Sequence, residues 1–219
     1  MKKCLIPLLI LAILLIGGCS STETSMPTST PTPKLTPTPA PTYTPTPTIK
    51  LYSAAPPMML DPDKNYTAII VTAKGNITLE LFAKDVPITV NNFVFLAREG
   101  FYNNCTFHRV LPDYPNSIAQ GGDPTGTGTG TPGYYIPNEI TQHTHVAGAL
   151  SMARTIVPDT NGCQFFICYT DQHGLDGSYS VFGQLISGMD VLESLTPRDP
   201  DEHPNYKGDT IIRITIEES

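Results

Sequence analysis

Tryptophan is absent from this sequence, cysteine is scarce, and basic residues are outnumbered, with 13 Lys and Arg against 20 Asp and Glu. From Asp61 onward the imbalance sharpens to nine basic and nineteen acidic side chains. That sign excludes nucleic acid as a partner, because such binding requires basic surface to neutralise phosphates. The five cysteines are Cys4, Cys19, Cys105, Cys163 and Cys168. With the first two in the N-terminal segment, an odd set of three remains, which excludes a disulfide framework and leaves at most one bridge, Cys105 with Cys163 or Cys168. Cys163 and Cys168 themselves lie on opposite faces of one apparent strand and should not pair with each other. The longest apolar run, Leu5 to Ile16, has twelve residues, well short of the roughly 20 that span a bilayer.

What is present at the N-terminus is a processing pattern. Lys2 and Lys3 precede the apolar run, and Ile16-Gly17-Gly18-Cys19 closes it. This resembles a lipobox. The resemblance implies a lipoprotein signal peptide over 1–18, with Cys19 lipidated and mature at the N-terminus, and so an extracytoplasmic protein anchored to the cell membrane. Residues 19–60 are dominated by Thr, Pro and Ser, with repeated Thr-Pro pairs. Proline fixes φ and removes donors, so an extended disordered tether reaching on the order of 100 Å is expected. Residues 61–219 form the folded domain, of single-domain size.

The domain reads as mostly β. In YTAIIVTAKGNITLELFA two runs flank Lys74-Gly75-Asn76, and Ile77, Leu79 and Leu81 alternate with polar residues, as in a hairpin. A helix is predicted after Pro87, with Val90, Phe93, Val94 and Ala97 on one face and Gly100 ending it. Short β runs follow at 106–111, 148–153, 164–169 and 181–184, then a short helix at MDVLESL and a closing strand at 211–216. In CQFFIC, Gln164, Phe166 and Cys168 share one face, with Cys163, Phe165 and Ile167 opposite. The same alternation puts Phe107 and Arg109 together, with His108 and Val110 opposite. From spacing alone Arg109 reads as one half of a structural ion pair and Gln164 as a buried hydrogen-bonding group. Short strands, two helices and long Gly/Pro-rich loops predict a barrel or sandwich with covered ends.

FHRV, QGGDPTGTGTGTPGY, GALSMAR, TNGCQFFI and LDGSYSVFGQLISGMDVLESL, in this order, resemble the cyclophilins, which are peptidyl-prolyl cis-trans isomerases. The resemblance implies a closed eight-stranded antiparallel β-barrel capped by two α-helices, with a groove on its outer face. It implies rotamase action on X-Pro bonds of exported, proline-containing polypeptides, requiring no cofactor and no metal, by a chain expected to be monomeric. Arg109 would donate to the prolyl nitrogen as the amide twists. Gln120 would hold a substrate carbonyl, Gln164 would orient the groove, and Phe166 would form the proline pocket with Ile118 and Leu175. Phe107, Ala153, Arg154 and Tyr179 complete the expected substrate contacts, with Tyr179 where many relatives have His. A non-catalytic module that holds proline-containing segments in the same groove is the alternative.

The pattern departs from the family at three places. Ser117 falls where an aromatic residue lines the proline pocket, after a longer loop in which Tyr114 offers a substitute ring. Gly174 stands at a position occupied by Trp or Phe in relatives, and Cys163 where Ser is common. GTGTGTPG lacks the Gly-Lys-Ser/Thr ending of a phosphate loop, and His143 with His145 lack further ligands at metal-binding spacing.

Overall fold

The computed structural model describes residues 49–113, 117–203 and 205–219. The signal segment, Cys19, the linker up to residue 48 and Tyr114 lie outside the described residues.

Strands β1 (Tyr66–Thr72) and β2 (Gly75–Leu81) form the expected hairpin, paired from Tyr66↔Leu81 to Thr72↔Gly75. Tyr66, Ala68 and Ile70 on β1 and Ile77, Leu79 and Leu81 on β2 point into the core, as period-2 alternation requires. Helix α1 (Pro87–Arg98) begins at the proline, where the missing N–H is no loss. It ends where Gly100 takes φ +65°, with Gly100 N–H bonded to the Ala97 carbonyl and Phe101 N–H to that of Leu96.

The remaining strands are β3 (Thr106–Phe107), β4 (Arg109–Leu111), β5 (Ile118–Gly121), β6 (Ala149–Met152), β7 (Phe165–Cys168), β8 (Val181–Ser187) and β9 (Asp209–Glu218). Helix α2 (Met189–Glu193) follows β8, and Val191 packs on Gly75 of the first hairpin. The sheet order is β3-β9-β1-β2-β8-β6-β7-β5-β4. Its two edge strands, β3 and β4, are successive pieces of one segment separated only by His108. The segment therefore pairs with β9 on one side and β5 on the other, which closes the barrel. Among the described residues, nine strands by pairing are thus eight by path, matching the expected architecture.

The break at His108 corrects one expectation. Phe107 and Val110 both enter the barrel interior, so Phe107 does not share a face with Arg109. Phe107 is fully buried against Phe165, with centroids 6.2 Å apart, and is a core residue instead of a substrate contact. The interior is filled by Phe93, Phe165, Phe182, Leu150 and Ile167 among others, while Phe166, Cys168, Ala149 and Val181 form a second cluster on the outer face. Residues 163–168 thus divide between the two faces as their alternation predicts.

Ordered structure starts before Asp61. Tyr52 N–H bonds to the Pro132 carbonyl at 2.8 Å, and its ring meets Phe95 edge-on at 5.0 Å. Asn91 on α1 donates to the Pro57 carbonyl and accepts from Met59 N–H. A proline-rich composition conceals these contacts, because they rest on single side chains rather than on a pattern. Cys105, Cys163 and Cys168 are buried free thiols, so no disulfide joins them. Burial pushes the Cys105 and Cys168 thiols up to about 12, which keeps them protonated and unreactive.

Candidate active site

Register brings the site together. Arg109 on β4 pairs with Gln120 on β5, Gln120 with Phe166 on β7, and Phe166 with Ser151 on β6. Cross-strand partners share a face at roughly 5 Å spacing, so a cation, an amide and an aromatic ring stand in a row on the barrel's outer surface. Beside them lies a hollow of about 140 Å³ lined by Ile118, Gln120, Ala153, Arg154, Phe166, Leu175 and Tyr179. Every residue expected at the site except Phe107 lines this hollow or adjoins it. A second hollow of about 180 Å³ continues past Ala153 and Arg154 to Gln164 and the glycine-rich loop.

Gln164 links the parts. Its Nε2 donates to the carbonyls of Gly128 and Gly130, both at 3.0 Å, and its Oε1 accepts from Gln120 Nε2 at 3.0 Å. It therefore fixes the rotamer of Gln120 and is a positioning residue. The loop that it grips is organised from below by Asp123, whose buried carboxylate accepts from the N–H groups of Thr125, Gly128 and Gly130 and from the Thr125 hydroxyl. Burial alone would raise the Asp123 pKa, but these hydrogen bonds, led by Gly130, outweigh it and hold the carboxyl below its ordinary value. A side chain at 130 would place Cβ 1.9 Å from Asp123 Oδ1, so only glycine fits there.

Phe166 is held from behind. His145 stacks on it at 5.8 Å and 10°, and Tyr179 meets it edge-on at 5.9 Å. His145 Nδ1 lies 2.8 Å from Asp176 Oδ1, and Nε2 lies 3.1 Å from Ser151 Oγ. This Asp-His-Ser order is not a nucleophilic triad, because Ser151 and His145 are completely buried and no substrate reaches them. Burial lowers the His145 pKa despite Asp176, so the ring is neutral near pH 7, while the N–H and imidazole of His145 pull the Asp176 carboxyl down to about 2. Arg154 closes the other rim, with its guanidinium 4.7 Å over the Tyr179 ring and bonded to the Ser178 carbonyl.

Sequence reasoning missed these supports. Asp123, His145, Asp176 and the Gly128 and Gly130 carbonyls act through hydrogen bonds between distant segments, and the Gly-Thr repeat after Asp123 was the single local signal. The position of Ser117 also needs correcting. It is buried, its hydroxyl donates to the Pro112 carbonyl at 2.6 Å, and its carbonyl accepts from Tyr169 N–H. Ser117 ties off the preceding loop, and Ile118 supplies the wall of the hollow. His143 and His145 have separate roles, since His143 stacks on Phe82 at 4.0 Å and pairs with Asp85.

A closed barrel with a filled interior carries on its outer face an apolar hollow, with the Arg109 guanidinium on one side and that of Arg154 on the other rim. Comparison with known proteins makes the class specific. A family profile described as cyclophilin type peptidyl-prolyl cis-trans isomerase/CLD matches residues 67–216. A peptidyl-prolyl cis-trans isomerase of Synechococcus elongatus is 53% identical over 151 residues, covering 68% of this chain and 94% of that protein. Isomerase B of Bacillus subtilis is 46% identical over 145 residues, 65% of this chain and 99% of its own. Among solved structures, a cyclophilin type isomerase of Cryptosporidium parvum matches with TM-score 0.63 and 36% identity, covering 71% of this chain and 99% of that one. The same protein has been solved in the presence of the dipeptide Ala-Pro. The chain belongs to the cyclophilin family and is a peptidyl-prolyl cis-trans isomerase.

Proposed function

We propose that this isomerase accelerates rotation about X-Pro bonds of exported polypeptides by stabilising the twisted amide with Arg109. Rotation faces a barrier of roughly 20 kcal/mol and takes tens to hundreds of seconds unaided. Twisting localises the lone pair on the prolyl nitrogen. A guanidinium held against that nitrogen then binds the twisted state better than the planar one, which is the differential binding that lowers a barrier. The observation that carries this reading is the row Arg109, Gln120, Phe166 beside the hollow of Ile118, Leu175 and Tyr179. The pyrrolidine ring enters the hollow, Gln120 holds a carbonyl, and Arg109 faces the nitrogen. Each 1.4 kcal/mol of preference for the twisted state is about tenfold in rate.

The Cys19 lipid anchor and the Thr/Pro-rich tether complete the proposal by placing the domain outside the cell membrane, where newly exported chains fold and proline isomerisation limits them. The non-catalytic alternative rests on the missing aromatic at Ser117, and the row Arg109, Gln120, Phe166 favours catalysis over it. A protease-coupled assay on a short X-Pro peptide tests the activity: cis-to-trans conversion faster than the uncatalysed rate in proportion to enzyme is expected, and an unchanged rate would refute it.

A further inference from the structure

Past Arg109 the groove opens into a hollow of about 410 Å³, walled in part by His108, Thr127, Thr129 and Pro200. His108 is 1% exposed, and neither ring nitrogen has a hydrogen-bond partner. Burial, above all, lowers its pKa, against an opposing pull from Asp123, so the ring is neutral near pH 7. A neutral imidazole offers one donor and one acceptor, and buried groups of this kind are rarely left unpaired. The Thr106 carbonyl nearby favours a ring proton but makes no hydrogen bond of ordinary geometry with it.

Pro200 on the rim of this hollow belongs to an acidic segment. The segment between α2 and β9 carries Asp199, Asp201 and Glu202 beside Pro200. Arg198 fixes its base: its backbone exchanges two hydrogen bonds with Val110 on β4, and its guanidinium donates to the carbonyls of His108 and Tyr206. Asp201 is thereby held near Arg109, with the carboxylate 3.7 Å from the guanidinium. That separation is too long for a hydrogen bond, and the Asp201 side chain is 87% exposed. A pair of this kind is weak and readily screened, so the carboxylate can exchange Arg109 for another cation.

We infer that this end of the groove selects polypeptide segments carrying Lys or Arg within two residues of the proline, with Asp201 as the selecting residue. The inference rests on the isomerase reading above. The client lies across the hollow that His108 lines, and its cation pairs with the exposed Asp201 carboxylate. Basic flanks therefore raise kcat/KM, and acidic flanks lower it by facing Asp201.

Peptides of one length, with Lys, norleucine or Glu at each of the two positions on either side of one proline, test this by exchange NMR for turnover and by titration for binding. The wild type is expected to favour Lys over norleucine by about two- to fivefold on one flank, and the ratio should fall toward one in about 1 M salt. Asp201→Asn should abolish the preference while turning over the norleucine peptide within about twofold of wild type, and Asp201→Lys should transfer the preference to Glu. Equal treatment of Lys and Glu by the wild type at every position, or an Asp201→Asn variant with the preference intact, would overturn the inference. Failure to turn over any peptide would instead count against the isomerase reading, and the titrations would then decide the charge preference alone.

Discussion

Gln164→Leu removes three hydrogen bonds and keeps the side chain close to its original volume. Two are donated to the Gly128 and Gly130 carbonyls and one is accepted from Gln120, all at 3.0 Å. Net contributions run from roughly 0.5 to 1.5 kcal/mol each, and because the loop carbonyls can turn to water the lower half of that range applies. A stability loss of about 1.5 to 3 kcal/mol follows, readable as a lowered urea midpoint with an unchanged slope. Catalysis should lose more than this alone implies. Gln120, freed from Gln164, no longer presents its amide in one orientation, and kcat/KM should fall about tenfold, mostly in kcat. Gln164→Glu sharpens the test, because the carboxylate still accepts from Gln120 but has nothing to donate to the two carbonyls. It should therefore keep more of kcat than Gln164→Leu while being no more stable. A Gln164→Leu protein with kcat/KM within twofold of wild type would refute the view that this side chain organises the groove.

Three further outcomes follow from particular residues. Gly174 adjoins Leu175 in the groove wall, and a Cβ there meets nothing within 4 Å, so Gly174→Trp is expected to leave stability, read from the urea midpoint, within about 0.5 kcal/mol of wild type, and a larger loss would contradict the open position of this residue. Stability should decline as pH drops below the ordinary histidine value of 6.5, because burial lowers the pKa of both His108 and His145 and the unfolded chain takes up protons that the folded one refuses. The stability contributed by Asp123 and Asp176, present above 3.8, is lost at still lower pH as their depressed folded values are reached; a urea midpoint unchanged between about pH 7.5 and pH 5 would contradict neutral buried imidazoles. Cys19→Ala should abolish incorporation of a labelled fatty acid and release the protein from membranes, and equal labelling of both forms would refute lipidation at this residue.

Regular pattern made much of this molecule legible in advance. Alternation marks the first hairpin, Pro87 and Gly100 bracket α1, and the two faces of 163–168 separate core from groove as their spacing requires. Irregular backbone hid the rest. One residue, His108, interrupts the strand that carries Arg109, and this resets the alternation so that Phe107 turns inward. Strand β5 contains Gln120 and Gly121 and has too little apolar periodicity to be read as a strand, yet its pairing sets Arg109 beside Phe166. Ser117 follows the loop between β4 and β5, and its hydrogen bond to the Pro112 carbonyl, which turns it away from the groove, is not recorded in any local pattern. The supports of the site, Asp123 beneath the glycine-rich loop and His145 behind Phe166, are joined to it by hydrogen bonds across long sequence separations, which no local pattern records.

The role of Arg109 is tested most directly by measuring catalysed cis-trans exchange of one X-Pro peptide by NMR for the wild type and Arg109→Ala, with folding of both verified by unfolding midpoint. Arg109 is partly exposed and, among the described residues, its side chain makes only the weak contact to Asp201, so the variant should fold as the wild type does. The account predicts an exchange rate lowered by roughly 10² or more at saturating peptide with the unfolding midpoint unchanged. A folded Arg109→Ala protein that exchanges the peptide at near wild-type rate would contradict it.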